Sequence, residues 1–133
     1  MIVVDSSIWD AAKMKRDRSH AAARRVLERI MEGVYGRALV TDYIVDEVLT
    51  WLGAHATHEL AAQTADYFLS AGQVEIEKVD WAVFREAVDL FKKHDYLSFT
   101  DATIAVVAWA KGIKDIASLD RDFVRLGFSV VSE

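Results

Sequence analysis

The sequence predicts an α/β fold built on a mainly parallel sheet. Three observations carry this. Short β-branched or apolar runs at residues 2–4, 38–40, 116–119 and 128–131 alternate with longer segments whose apolar residues recur at helical spacing. Capping residues (Ser, Thr or Asp) stand ahead of the helical segments and glycines behind several of them. There is no proline, the six glycines are scattered, and no repeat or low-complexity tract interrupts the 133 residues. Residues 1–133 are therefore expected to form one domain.

Ile2–Val4 is short and β-branched, as a buried strand requires. Ser19 is placed to cap a helix running to about Glu32, with Gly33 stopping it. Ala22, Ala23, Val26, Leu27, Ile30 and Met31 form its apolar face, and Arg25, Glu28, Arg29 and Glu32 the opposite one. Residues 38–40 make a second strand. Thr41 caps a helix through Leu52, with Gly53 behind it, and Thr57 caps another that ends at Gly72. Residues 74–79 read as an edge strand or an irregular link. Asp80 opens a helix to about Lys93, with Phe84, Ala87, Val88 and Phe91 on one face. Thr100 caps a helix reaching Gly112. Its residues 103–109 are apolar nearly all round, so it belongs inside the domain. The last two strands, 116–119 and 128–131, enclose a short turn or helix.

Composition narrows the chemistry. The chain has no cysteine, which excludes disulfides, thiolate metal sites and cysteine nucleophiles. No apolar run is long enough to span a membrane, and no basic region precedes the first apolar stretch. A cytoplasmic protein with no membrane partner is expected. The formal net charge is −5, whereas nucleic-acid binders are usually basic. Distribution qualifies that sum. Lys13, Lys15, Arg16 and Arg18 form a basic run, followed by Arg24, Arg25 and Arg29. If five acids served a metal site the remainder would be neutral, so a polyanionic substrate reached through a bound cation stays open.

In parallel α/β sheets, ligands sit beyond the carboxyl ends of the strands. Acids cluster at those ends. Asp5 follows the first strand, Asp120 follows residues 116–119, Asp101 falls in the first turn of the apolar helix, and Glu47 in the second turn of the Thr41-capped helix. Each has a plainer reading. Asp5, with Ser6 and Ser7, could cap a helix or form a turn; Asp101 could complement a helix dipole; Asp120 and Asp122 could cap the turn around Phe123. Glu47 lies at about 100° per residue between Tyr43 and Trp51, at the margin of the apolar stripe, whereas Asp46 is on the polar side. Two carboxylates about 5 Å apart repel by roughly 3 kcal/mol at an effective dielectric of 20. Four together need protons or a cation, and an all-oxygen set suits Mg²⁺ or Mn²⁺.

These residues resemble a PIN-domain ribonuclease, in particular the small VapC-like toxins of type II toxin–antitoxin modules. The motifs are Ile2-Val3-Val4-Asp5-Ser6-Ser7-Ile8-Trp9, Thr41-Asp42-Tyr43-Ile44-Val45-Asp46-Glu47, Leu97-Ser98-Phe99-Thr100-Asp101-Ala102 and Ile116-Ala117-Ser118-Leu119-Asp120-Arg121-Asp122-Phe123. Each is weak alone; their order and spacing together span essentially the whole chain. The resemblance implies a three-layer α/β/α sandwich and a metal-dependent endoribonuclease leaving 5′-phosphate and 3′-hydroxyl ends. It also implies a homodimer and an antitoxin partner. It makes Asp5 and Asp101 direct or water-mediated metal ligands. Glu47 holds the metal or orients the water, Asp120 completes the site, and Asp122 is a less certain member. Ser6, Ser98 and Ser118 orient carboxylates. Ser118 stands where many relatives have threonine, and the hydroxyl is kept.

Lys13, Lys15, Arg16 and Arg18 are candidates for steering RNA, against a plain reading as a solvated loop. Trp9, Val26, Ile30 and Trp51 are candidate antitoxin contacts. The four tryptophans otherwise read as core or dimer-interface residues, and His55 with His58 as an unpromising metal pair. Haloacid-dehalogenase-like phosphatases need a second acid where Ser7 stands. Response-regulator receivers need paired acids where Asp5 stands alone. The reading set against the enzyme is a non-catalytic PIN-fold module that binds RNA or protein.

Overall fold

The computed structural model describes residues 1–133. Strands β1 (Ile2–Val4), β2 (Ala38–Thr41), β3 (Val74–Glu77), β4 (Asp115–Ala117) and β5 (Ser129–Val131) form one sheet in the order β3-β2-β1-β4-β5. Every pairing is parallel. Helices α1 (Ser6–Lys13), α2 (His20–Met31), α3 (Asp42–His55), α4 (His58–Ser70), α5 (Trp81–Lys93) and α6 (Phe99–Lys111) flank it, and a 3₁₀ turn spans Arg121–Leu126. The three-layer α/β/α arrangement expected from the sequence is what forms.

The order of the sheet fixes where chemistry can occur. From β1 the chain proceeds outward to β2 and β3, then returns to place β4 on the other side of β1. Neighbouring helices diverge at that switch point and leave a crevice at the carboxyl ends of β1 and β4. Ile2, Val3 and Val4 are fully buried, and Val4 pairs with Ala117. The residues that follow these two strands, Asp5 and Ser118, are therefore delivered side by side.

Packing follows the apolar periodicity. α2 buries Ala23, Val26 and Ile30, and α6 buries every residue from Ala102 to Ala108. Trp9 is 2% exposed, meets Phe68 edge-on at 4.9 Å and donates its indole N–H to the Val4 carbonyl at 3.2 Å. Trp9, Val26 and Ile30 are core residues, which removes them as antitoxin contacts; their helical spacing reported burial alone.

Several boundaries differ from expectation. α1 did not stand out because its eight residues begin within the Asp-Ser-Ser motif and hold only about two turns. Ser19 makes no side-chain cap; Asp17 instead accepts the Ser19 amide at 2.7 Å. α3 continues through Gly53 to His55, because Gly53 has open space around it and no left-handed backbone to end the helix. Ser98, not Thr100, caps α6, accepting the Asp101 amide at 3.1 Å. Its extended backbone puts the hydroxyl over the first turn. Gly112 does end α6, in the left-handed conformation at φ 67°. The strand expected at 116–119 stops at Ala117, where the chain leaves the sheet to bring Ser118 to Asp5.

Candidate active site

Asp5 is the centre of the crevice. It is 5% exposed, and its backbone is extended because it caps α1: Oδ1 accepts the Ser6 amide at 2.8 Å. The other oxygen, Oδ2, accepts from the Ser118 hydroxyl at 2.7 Å and the Ser7 hydroxyl at 3.0 Å. Both hydroxyls are themselves fixed. Ser118 Oγ accepts the Asp120 amide at 2.9 Å, and Ser7 Oγ accepts the Leu119 amide at 3.0 Å. Asp5 thus sits in a cradle of donors that ties the end of β1 to the end of β4. Burial pushes its carboxyl above the ordinary range, and the nearby Glu47 charge adds to this. The hydrogen bonds from Ser118, Ser7 and the Ser6 amide work in the opposite direction.

The other acids gather around it. Glu47 Oε2 accepts from Ser6 Oγ at 3.0 Å, and that hydroxyl also lies 3.4 Å from Asp5 Oδ1, so Ser6 links the two carboxylates. Asp101 is pushed up to about 7, first by burial, then by the charges of Asp5 and Asp120 against hydrogen bonding from Ser98. Asp120 caps the 3₁₀ turn, accepting the Asp122 amide at 2.8 Å. The structure thus brings Asp5, Glu47, Asp101 and Asp120 to one edge of the sheet. Asp122 joins only through its backbone, because its carboxylate faces Arg125 at 3.8 Å.

The serines divide differently from expectation. Ser6 and Ser118 do contact carboxylates, but Ser118 donates to Asp5 and serves Asp120 through its amide. Two participants escaped the sequence reading. Ser7 is one; its only signal was being the second serine after Asp5. Asp10 is the other. It lies one helical turn beyond Ser6 on α1, and that helix had not been recognised. Its Oδ1 is buried without a hydrogen-bond partner. Its carboxyl is pushed up to about 7 by burial, then by Asp5, Glu47 and Asp17.

The basic run lies elsewhere. Lys13 ends α1, with its ammonium 5.9 Å from the Tyr67 ring centre, and Lys15, Arg16 and Arg18 follow in the exposed connection to α2. Eight residues of helix put them roughly 12 Å beyond the acidic edge.

Such a donor set fits a hard divalent ion. Every donor is an oxygen, and burial with mutual repulsion drives three of the carboxyls to keep protons that a cation would replace. No three His, Cys, Asp or Glu side chains stand close enough to cage an ion unaided.

The raised carboxyls have a measurable consequence for the ion-free protein. Asp10 and Asp101 hold their protons to about pH 7 when folded, against 3.8 in the unfolded reference. Between those values the native state binds more protons, so stability falls as pH rises toward 7 and levels off above it. In EDTA, Tm should fall by roughly 5 °C between pH 5 and 7. The Asp10→Asn, Asp101→Asn double variant should flatten that slope. A wild-type Tm that is level or rises across this window would contradict the assignment.

The molecule is thus an α/β/α layer stack whose acids gather at the switch point of a parallel sheet. The chain belongs to the PIN-domain family, whose model matches residues 2–129. It is 31% identical over 130 residues to the 23S rRNA-specific endonuclease VapC20 of Mycobacterium tuberculosis, covering 96% of this chain and 95% of that protein. It is also 31% identical over 109 residues to a VapC ribonuclease of Archaeoglobus fulgidus, covering 80% of this chain and 69% of that one. The crystal structure of M. tuberculosis VapC20, described as a sarcin-ricin loop cleaving toxin, superposes with a TM-score of 0.86 at 28% identity over 97% of both chains. VapBC2 of Rickettsia felis, solved with a promoter DNA fragment, shares the fold at a TM-score of 0.70 and 17% identity, over 98% of this chain and 97% of that one.

Proposed function

We propose that this chain is an Mg²⁺- or Mn²⁺-dependent endoribonuclease and the toxin of a toxin–antitoxin pair, acting as one PIN unit over residues 1–133. The observation that carries the reading is the buried Asp5 carboxylate, held by Ser7 and Ser118 at the switch point and ringed by Glu47, Asp101 and Asp120. The homology to an RNA endonuclease over nearly the whole chain supports it.

A divalent ion bound there lowers the pKa of water and offsets phosphate charge. Asp5 and Asp101 would hold the ion directly or through water, Glu47 would hold it or orient the attacking water, and Asp120 would complete the set. Ser118 and Ser7 keep Asp5 turned inward, and Ser6 fixes Glu47. Ser98 holds the first turn of α6, and with it Asp101. Water adds to phosphorus in line, the P–O3′ bond breaks and the proton passes to O3′, leaving 5′-phosphate and 3′-hydroxyl ends. Lys13, Lys15, Arg16 and Arg18 draw the RNA backbone toward the far end of α1.

The antitoxin surface falls on the outer side of the first two helices, where Ala12, Lys13, Arg24, Leu27, Glu28 and Met31 line a shallow groove. A second copy of the chain is the partner assigned to the aromatic side chains that α5 and α6 leave in water, Trp81, Phe91 and Trp109. No helix is long and apolar enough to cross a membrane, and the cytoplasm is where this reading places the enzyme with its RNA.

Incubating the protein with a mixed RNA pool in Mg²⁺, Mn²⁺ or EDTA tests the reading. Cleavage with either ion and none in EDTA is expected. Cleavage that persists in EDTA overturns the metal-dependent mechanism. Binding of RNA without cleavage in any ion would favour the non-catalytic module.

A further inference from the structure

Beside Glu47 a groove of about 450 Å³ opens along α3, lined by Ser6, Asp10, Asp46, Trp51 and His55 among others. Its volume lies within the range that holds small ligands, about 300–1,000 Å³. One wall is aromatic. The Trp51 indole and His55 imidazole are stacked at 4.6 Å with 18° between their planes, and His55 Nδ1 is hydrogen-bonded to the Trp51 carbonyl at 3.0 Å. The imidazole is thus held flat against the indole, one turn along an exposed helix face. The remaining wall is acidic. Asp46 and Glu47 offer acceptors, with Asp10 at the floor.

These features select their occupant. Carboxylate oxygens accept hydrogen bonds and disfavour a phosphate beside them, so an RNA strand does not lay its backbone here. A flat aromatic surface takes a base face, and stacking of this kind stabilises single-stranded bases whatever their identity. Identity is then read by the acids, which recognise donors on the base edge. Guanine alone presents two adjacent donors, N1–H and the N2 amino group, to a single carboxylate. Glu47 borders both the groove and the acidic centre, so a base held here lies next to the scissile phosphate.

We propose that this groove is a base-reading subsite in which the outer face of the Trp51–His55 pair stacks an unpaired guanine and Asp46 accepts from its Watson–Crick edge. The inference rests on the ribonuclease reading and goes beyond it, because it assigns sequence preference to residues outside the metal site.

Binding of five-nucleotide RNAs with a central G, inosine or A in a uridine background, followed by tryptophan fluorescence in EDTA, tests it without cleavage. The G-centred RNA should bind about tenfold more tightly than the A-centred one, with inosine, which lacks the N2 amino group, between them. The quench should disappear in Trp51→Phe while affinity falls modestly, identifying the stacked residue. Asp46→Asn should abolish the preference for G over inosine. Asp46 is solvent-exposed, so its variant reports on binding and not on folding. Equal affinity for the G- and A-centred RNAs, or a preference that survives Asp46→Asn, overturns the subsite. So does a Trp51 quench given by a short arginine-containing peptide and by none of the RNAs, which would assign the groove to a protein side chain. Loss of the preference with EDTA-sensitive cleavage intact would sink the subsite alone. A clear preference in a protein that cuts no RNA would sink the ribonuclease reading instead.

Discussion

Asp5→Asn should lower RNA cleavage by roughly 10³-fold or more while leaving the protein folded. The asparagine oxygen still accepts the Ser6 amide and caps α1, so the local backbone persists. Its amide replaces the oxygen that Ser7 and Ser118 address, and those hydroxyls lie 3.4 Å apart and can turn toward each other. What disappears is the buried negative charge. Removing it also relieves repulsion with Glu47, Asp10 and Asp101. In EDTA above pH 7 the variant should therefore melt no lower than wild type, yet gain less from added Mg²⁺. Melting curves with and without the ion, beside a cleavage assay, check both halves. A variant that cuts at the wild-type rate would place the reaction elsewhere, and one that melts much lower would make Asp5 a structural residue.

Trp9→Ala should be the most damaging substitution for stability. The indole is buried against Phe68 and Tyr67, and truncating a buried tryptophan costs about 3–5 kcal/mol. That is a large share of the roughly 5–15 kcal/mol that holds a typical domain folded. A fall in Tm of roughly 10–20 °C is expected. The effect reaches the site as well, because the indole N–H holds the carbonyl of Val4, the residue directly ahead of Asp5. Trp9→Phe keeps much of the packing and loses that hydrogen bond. It should melt only a few degrees lower yet show a reduced kcat. Equal losses of activity and stability in both variants would reduce Trp9 to a packing residue.

The comparison between sequence and structure divides along a physical line. β1, α2 and α6 were legible because burial writes itself into apolar spacing, and the fully apolar α6 sits inside as expected. Asp5, Glu47, Asp101 and Asp120 were legible because each follows a strand or occupies an early helical turn, where a parallel sheet exposes its ends. α1 was not, being short and opening in a polar motif; with it went Asp10, whose approach to the acids depends on the turn of that helix. Ser7 and the true target of Ser118 were equally hidden. Both depend on contacts across more than a hundred residues, and local pattern carries no information about them. The same limit explains why Trp9, Val26 and Ile30 looked available to a partner: an apolar stripe does not say whether it meets the protein's own sheet or another chain.

The Asp5–Ser118 hydrogen bond joins residues 113 positions apart. During synthesis, Asp5 emerges well before Ser118 and waits for the strand that completes its cradle. β1 likewise lacks its β4 neighbour until residues 115–117 have followed. The cradle of Asp5 is therefore incomplete in any nascent chain that has not yet reached Ser118, and the acids gather around a formed centre only once both strands are paired.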